Sequence, residues 1–510
     1  MIPVLTAAET QALDRATEAR GTSIEALMER AGLAVARTAA RVAGGTYGRR
    51  AVVVCGKGNN GGDGLVAARY LSRWGVGTTV LLLAAPEHLR GPAAANWRRL
   101  EGTGVRRRPF ELSVLDRELA RSDVAVDAVF GSGFRGVAEG PYADAIERLD
   151  GDVVPVAAVD IPSGVEGDTG AVPGPAVRAV ATVTFGAAKV GDVLHPGAAR
   201  AGRVEVADIG FPADLLTSDL VLVEPGDVRD LLPVRKADTH KRRSGVVLVV
   251  AGSRRMTGAP HLVAEGAYRV GAGLVRVAMP EGVLPVVQSG LAEATFLPLP
   301  EGPAGSVAES AWDVMKGELD GVGAVGIGPG LSTDEETPAF VRRVVRESPV
   351  PVVVDADAIN AFAGHPADLA GRVSDVVITP HTGEFGRLFD LPVAEVLADR
   401  VGVVRKAAAE TRCVVLLKGS RTLVAVPDGR VRINPTGTPV LATGGTGDVL
   451  TGAVAAFLAR GLSPVDAATV GAYVHGLAGT VAGELLGEGA VSGDVAASLP
   501  EATARVRGAG

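Results

Sequence analysis

Two trains of short β-branched runs, each run followed by a stretch of helical length, constrain this chain more than any other feature. The first train covers residues 51–55, 78–83, 124–130, 153–160, 181–185 and 203–206. The second begins at 245–250 and continues through 274–278, 324–327, 352–355, 376–379 and 413–418. Strand, helix, strand in regular alternation predicts parallel sheets, because parallel neighbours need long crossovers. Between the trains the periodicity fails over 210–240, where Pro212, Pro225 and Pro233 sit among Asp227, Arg229, Asp230, Arg235, Lys236 and Asp238. This reads as a junction. The expectation is two different α/β domains, 1–215 and 240–505, joined by 216–239, which suits a chain of 510 residues. Ahead of the first train, 6–41 has helical spacing and opens on a capping-box pattern, Thr6 to Glu9. In the second half, 421–426 and 430–433 read as a hairpin turning at Pro427-Asp428-Gly429, and a helical tail follows from Asp448.

Composition removes several function classes. Lys and Arg number 51 against 58 Asp and Glu, a net charge of −7, which argues against a phosphate backbone as partner. Aromatics at 4% argue against stacking platforms for single strands. The runs 98–99 and 106–108 of arginine are then expected on solvated faces. There is no membrane-length apolar run and no basic head leading into one, so the expected location is the cytoplasm, without a membrane partner. Cys55 and Cys413 lie far apart inside strand-like runs and are expected as buried core residues.

The first candidate site follows the first strand of the first train, in Gly56-Lys57-Gly58-Asn59-Asn60-Gly61-Gly62-Asp63-Gly64. A glycine-rich turn from strand into helix lets backbone N–H groups approach a phosphate. Gly56, Gly58 and Gly61 match the dinucleotide spacing, but no acidic residue ends the next strand near Leu83, and the P-loop pattern is absent. Further strand ends carry Asp127 ahead of Gly131-Ser132-Gly133-Phe134-Arg135-Gly136-Val137, and Asp160-Ile161-Pro162-Ser163. Such loops converge where open α/β sheets bind ligands. Their amide, carboxylate and hydroxyl oxygens suit a hard cation.

Together these three motifs resemble the epimerase domain of the bifunctional NAD(P)H-hydrate repair enzymes, a Rossmann-like three-layer fold. The resemblance implies that Asn59, Asn60, Gly61, Gly62, Asp63, Gly131, Ser132, Gly133, Phe134, Arg135, Gly136, Val137 and Asp160 hold the hydrate, and that Asn60, Asp127 and Ser163 bind K+. Asp160 is the candidate catalytic proton carrier. Lys189 is a weaker one, read otherwise as a solvated lysine.

The second candidate site is Gly444-Gly445-Thr446-Gly447-Asp448. Small residues opening a helix expose N–H groups that stabilise a transferred phosphoryl group, and Asp448 is placed to accept a proton from an attacking hydroxyl. His381, Asp355 and Asp357 also fall in strand-end loops, the two aspartates either serving Mg2+ indirectly or bonding loop amides. Residues 240–260, Gly271-Ala-Gly-Leu-Val275, 378–385 and the 444–448 motif resemble the ADP-dependent NAD(P)H-hydrate dehydratase domain of the same family, a ribokinase-like α/β fold. Arg242-Arg243 and Leu291-Ala-Glu293 depart from its usual pattern. The resemblance implies nucleotide binding by Lys418, Gly419, Ser420, Arg421, Thr422, Thr438, Pro439, Val440, Leu441, Ala442, Thr443, Gly444, Gly445, Thr446 and Gly447. It places the hydrate near Gly330, His381 and the catalytic Asp448. It further implies epimerisation of R and S NADHX and NADPHX, dehydration of the S form with ADP and Mg2+, and a homo-oligomer. The competing reading is a ribokinase-like small-molecule kinase fused to a non-catalytic Rossmann-like binding module.

Overall fold

The computed structural model describes every residue except Asp152, Val153, Lys236, Glu335, Ala509 and Gly510. Val153, at the head of one expected strand, and Lys236, in the expected junction, therefore lie outside the described residues. The chain forms two compact units, Ile2–Ser218 and Asp219–Gly510, the latter with Met1.

Among the described residues of the first unit seven parallel strands run in the spatial order Arg106–Pro109, Gly77–Leu82, Arg50–Cys55, Val124–Ala128, Val156–Val159, Ala181–Phe185, Arg203–Ala207. The order reverses between Arg50–Cys55 and Val124–Ala128, which makes their carboxyl ends the switch point of the sheet. Alternate residues of each strand feed opposite layers. Val53, Cys55 and Val126 pack with Leu27, Val35 and Leu65 of helices Ile24–Val42 and Asn59–Arg73, whereas Val52, Val54 and Ala125 pack with Leu115, Ile146 and Leu149. Arg106–Pro109 is an exposed edge strand whose arginines keep a free edge in water. The segment expected as one helical stretch is two helices, Ala7–Ala19 and Ile24–Val42, because Gly21 (φ 95°) ends the first and Ser23 caps the second. The Thr6–Glu9 capping box is formed. A short strand before it, Ile2–Leu5, pairs in parallel with Ala188–Lys189.

In the second unit the order is Thr295–Leu299, Leu274–Pro280, Val246–Val250, Ala324–Ile327, Val352–Val354, Val376–Ile378, Val414–Leu417, Leu423–Ala425, Val431–Ile433, Leu220–Leu222. All neighbours are parallel except around the hairpin Leu423–Ala425/Val431–Ile433, which turns at Gly429 (φ 93°). The segment expected as junction is not bare linker: Leu220–Leu222 pairs with Val431–Ile433, and helix Pro225–Leu231 buries Val228 in the core of this unit. Three apolar residues in a row carry too little periodicity to announce a strand. The tail forms helices Thr446–Ala459, Pro464–Leu486 and Ser492–Gly508. Thr446–Ala459 crosses Ala259–Arg269 at two glycines. A Cβ on Gly452 would stand 1.9 Å from the Val263 carbonyl oxygen, and one on Gly266 would stand 2.2 Å from that of Val449. Only glycine permits that approach, which draws the start of Thr446–Ala459 to the strand ends. Cys55 and Cys413 are free and buried. Among the described residues no helix is long and apolar enough to cross a membrane.

Candidate functional sites at the carboxyl ends of two sheets

The first unit holds a cavity of about 810 Å³ at its switch point. Gly56 lets the two central loops meet, since a Cβ there would fall 2.1 Å from the Val129 carbonyl oxygen. Of the expected hydrate contacts, Asn59, Asn60, Asp63, Gly131, Ser132, Gly133, Phe134, Arg135 and Asp160 line the cavity. Gly61 and Gly62 are buried behind it, the first against the Gly56 carbonyl and the second against Met28, while Gly136 and Val137 face solvent. Sequence reasoning missed Asp14, Thr10 and Gln11 of helix Ala7–Ala19, and an aromatic wall of Phe130, Tyr142, Phe185 and Phe211 beside Phe134. Phe130 stacks on Phe134 and Tyr142 with centroids 4.6 and 5.2 Å apart.

Asp160 has φ 65°, a left-handed conformation that aspartate adopts at a cost and that marks a constrained position. Its carboxylate accepts from Ser132 N at 3.0 Å and pairs with Lys189 Nζ at 2.9 Å. Lys189 is not solvated, as expected, but 0% exposed. Its ammonium also donates to Thr184 Oγ1, Phe185 O and Ala187 O, each at 3.0 Å. Burial opposes the charge on Asp160, but Lys189 and the Ser132 amide outweigh it and hold the carboxyl below its ordinary range. Asp63 shows the reverse: burial, with the like charges of Asp160 and Asp14, pushes it well above that range.

Asn60, Asp127 and Ser163 meet around Phe130. Asn60 Nδ2 donates to Phe130 O at 2.8 Å, Phe130 N donates to Ser163 Oγ at 2.9 Å, and Ser163 Oγ donates to Asp127 at 2.6 Å. Asp127 is fully buried and also accepts from Ser163 N and Val129 N; burial raises it to about 6 despite these bonds. The three donors it has among the described residues are neutral groups.

In the second unit Asp448 lies in the first turn of Thr446–Ala459, behind Gly445 (φ 86°). Lys418 Nζ pairs with Asp355 at 2.8 Å and approaches Glu384 at 3.7 Å, and Thr451 Oγ1 donates to Asp355 at 2.7 Å. A Cβ on Gly447 would come within 3.3 Å of Lys418 Nζ, so the glycine turn and the lysine share one site. Burial above all, and then the negative charge of Asp355, push Asp448 up to about 7, against the pull of Lys418. Burial works against the charge of Lys418, yet Asp355 and Glu384 raise its pKa.

The nucleotide segment 418–422 is held by Arg400, which donates to Ser420 O at 2.7 Å and Arg421 O at 3.0 Å, and Arg421 donates to Pro435 O at 2.7 Å. Segment 438–447 is braced by Pro464–Leu486: the buried His475 Nε2 meets Thr446 O at 2.8 Å, a role with no local sequence signal. The hydroxyl of Thr438 is buried with no hydrogen-bond partner among the described residues. His381 caps helix Thr382–Phe389, its Nδ1 accepting from Gly383 N and Glu384 N, while its ring is 53% exposed. Gly330 (φ 66°) lies in the turn after Ala324–Ile327. Asp357 accepts from Ser332 N and so bonds a loop amide, whereas Asp355 belongs to the lysine cluster.

These features define a Rossmann-like unit fused to a ribokinase-like unit, each with its polar cluster at the carboxyl ends of parallel strands. A family model described as NAD(P)H-hydrate dehydratase matches residues 247–500, and one described as YjeF-related protein N-terminus matches 24–191. The bifunctional NAD(P)H-hydrate repair enzyme Nnr of Moorella thermoacetica is 43% identical, over 98% of this chain and 96% of its own. That of Thermofilum pendens is 41% identical, over 98% and 96%. The chain belongs to the bifunctional NAD(P)H-hydrate repair enzymes, and it is a bifunctional NAD(P)H-hydrate epimerase and dehydratase. Among solved structures, the ADP/ATP-dependent NAD(P)H-hydrate dehydratase from Bacillus subtilis, co-crystallised with ATP and Mg2+, is 31% identical with TM-score 0.49, over 57% of this chain and 100% of that one.

Proposed function

We propose that epimerisation of R and S NADHX and NADPHX takes place in the cavity of the Ile2–Ser218 unit, and that dehydration of the S form takes place at Asp448. The observation that carries this reading is the inverse treatment of two carboxylates. Asp160 is paired with Lys189, whereas Asp448 stands beside a lysine already paired with Asp355. An unpaired carboxyl near neutrality is suited to act as a general base.

In the proposed reaction Asp448 takes the proton of the C6 hydroxyl, and the hydroxyl oxygen attacks the terminal phosphorus of ADP as the bond to AMP breaks. The ring nitrogen lone pair then expels phosphate, and loss of a C5 proton restores the reduced nicotinamide. Converting a hydroxyl into phosphate supplies the leaving group that a plain dehydration lacks. Segments 418–422 and 438–447 would bind the nucleotide, and the orphaned Thr438 hydroxyl fits an oxygen or nitrogen of it. Mg2+ would neutralise phosphate charge. Among the described residues no group of three or more His, Cys, Asp or Glu side chains forms a metal cage, so the ion would be carried largely by phosphate oxygens and water, as is usual for Mg2+.

In the epimerase unit a buried Asp127 bonded to the Ser163 hydroxyl, with the Phe130 carbonyl that Asn60 holds close by, offers hard oxygens that fit a monovalent hard cation such as K+. That ion would supply charge compensation. A cytoplasmic location and a homo-oligomeric state complete the proposal on family resemblance. The test is to supply an R and S mixture with ADP, or with ATP, and follow reduced-nicotinamide absorbance. Full recovery supports the reading. A phosphorylated product that persists overturns it in favour of a kinase.

A further inference from the structure

Helix Ala7–Ala19 stands outside the alternating α/β pattern, yet it forms one wall of the epimerase cavity through Ala7, Thr10, Gln11 and Asp14. It is fastened there at its start: Ala7 N donates to Asp168 at 2.6 Å, and Asp168 also pairs with Arg135 of the 131–137 loop. The strand leading into it pairs with the strand of Lys189, in the register Leu5 to Lys189. The helix that carries Asp14 is thus tied on one side to a substrate loop and on the other to the partner of Asp160. Among the described residues Asp14 makes no hydrogen bond or ion pair, although it is half-buried.

We propose that Asp14 is a catalytic residue of the epimerase, the acid that works opposite the Asp160 carboxylate. This rests on the epimerase reading of the cavity. In the forward step Asp14 protonates the C6 hydroxyl, the C6–O bond breaks with its electron pair leaving as water, and the ring nitrogen lone pair forms N1=C6. Asp160 then takes a proton from a water molecule that adds to C6 on the other face, and the π pair returns to nitrogen. C6 is inverted and now carries the oxygen of the added water, one proton has left Asp14 and one has reached Asp160, and exchange with solvent resets both. The reverse epimerisation uses the same two groups in exchanged roles, as microscopic reversibility demands.

Electrostatics supports the division of labour. Burial above all raises Asp14 to about 6, with Asp160 adding to the shift and Lys189 opposing it, whereas Asp160 is held ionised. The other charged groups around Asp14 are Asp63 from helix Asn59–Arg73, Lys57 and Arg135 on the cavity wall, and Arg15 and Glu18 on its own helix.

The test uses the full chain without ADP, following R to S conversion of NADHX by chromatography in labelled water. Asp14→Asn should lower kcat by about 10² or more with KM within a factor of two, and Asp14→Glu should recover much of the loss. Each conversion should bring one oxygen from water into C6. An Asn variant with the parental kcat, or one altered in KM alone, overturns the role of Asp14. Retention of the original oxygen overturns the two-carboxyl route in favour of ring opening, and this measurement needs no variant. A parental chain that does not epimerise overturns the epimerase reading itself, which keeps the two failures apart.

Discussion

The two units each gather a lysine and carboxylates at the carboxyl ends of their parallel strands and arrive at opposite pairings. In the first, the lysine is spent on the carboxylate that faces the cavity: Lys189, wholly buried, pairs with Asp160 and holds it ionised. In the second, the lysine goes to a neighbour: Lys418 pairs with Asp355, and Asp448, without an ion-pair partner among the described residues, is raised to about 7. The lesson is that a lysine within reach of a carboxylate does not set its function. Which carboxylate the lysine pairs with decides whether the site offers a carboxylate held ionised below its ordinary range or one that binds and releases a proton near neutrality.

The largest expected effect comes from removing the unpaired base. Asp448→Asn keeps the shape and the helix start, so ADP-dependent dehydration of the S hydrate should fall by about 10² to 10⁴, while R to S conversion by the same protein is unchanged. Equal loss of both activities in a folded chain would break the assignment of one chemistry to each unit. Next comes removal of the paired lysine. Lys189→Met leaves Asp160 buried without a counter-charge, an effect of about 3–5 kcal/mol when one partner of a buried pair is lost. A calorimetric scan should show an earlier transition for the first unit together with loss of epimerisation, and dehydration of the S form should persist. An unshifted transition would mean that Asp160 escapes its charge by taking up a proton.

A smaller effect is expected where support is indirect. His475→Ala removes the bond to Thr446 O and leaves that carbonyl without this partner, about 1–3 kcal/mol for a buried polar group. Burial lowers the imidazole to about 4, so it braces the glycine turn as a neutral ring throughout the working range. The dehydration kcat should fall with its pH midpoint unmoved; a moved midpoint would mean that His475 itself exchanges the proton.

The parts of both sites that were legible in the sequence are local. Gly56 to Asp63 and Gly444 to Asp448 announce themselves because a turn from strand into helix needs small residues in a row, and the capping box at Thr6 needs only residues three apart. What was not legible is long-range. The burial of Lys189 depends on Asp160 as its counter-charge, the place of Asp14 on a helix tied down by Asp168, and the brace from His475 on a helix 29 residues beyond the turn it holds. A charged side chain in isolation reads as solvated, and only the folded partners say otherwise. The strand Leu220–Leu222 was hidden for the same reason, since its partner Val431–Ile433 lies more than 200 residues later.

The finest test concerns the pH at which the second site works. A carboxyl raised to about 7 holds its proton below that pH, so the base form, and with it the dehydration rate, should rise about tenfold per unit up to neutrality and level off above it. Asp355 contributes to the rise through its own charge, and it also occupies Lys418. Asp355→Asn removes the like charge and frees the ammonium to face Asp448, and both changes favour the ionised form. The midpoint of the kcat profile should therefore move to lower pH while the plateau falls, because a weaker base accepts the hydroxyl proton less readily. A midpoint that stays near 7 would show that burial alone sets Asp448, and the contrast with the lysine-paired Asp160 would then be one of solvent exclusion rather than of how each site places its lysine.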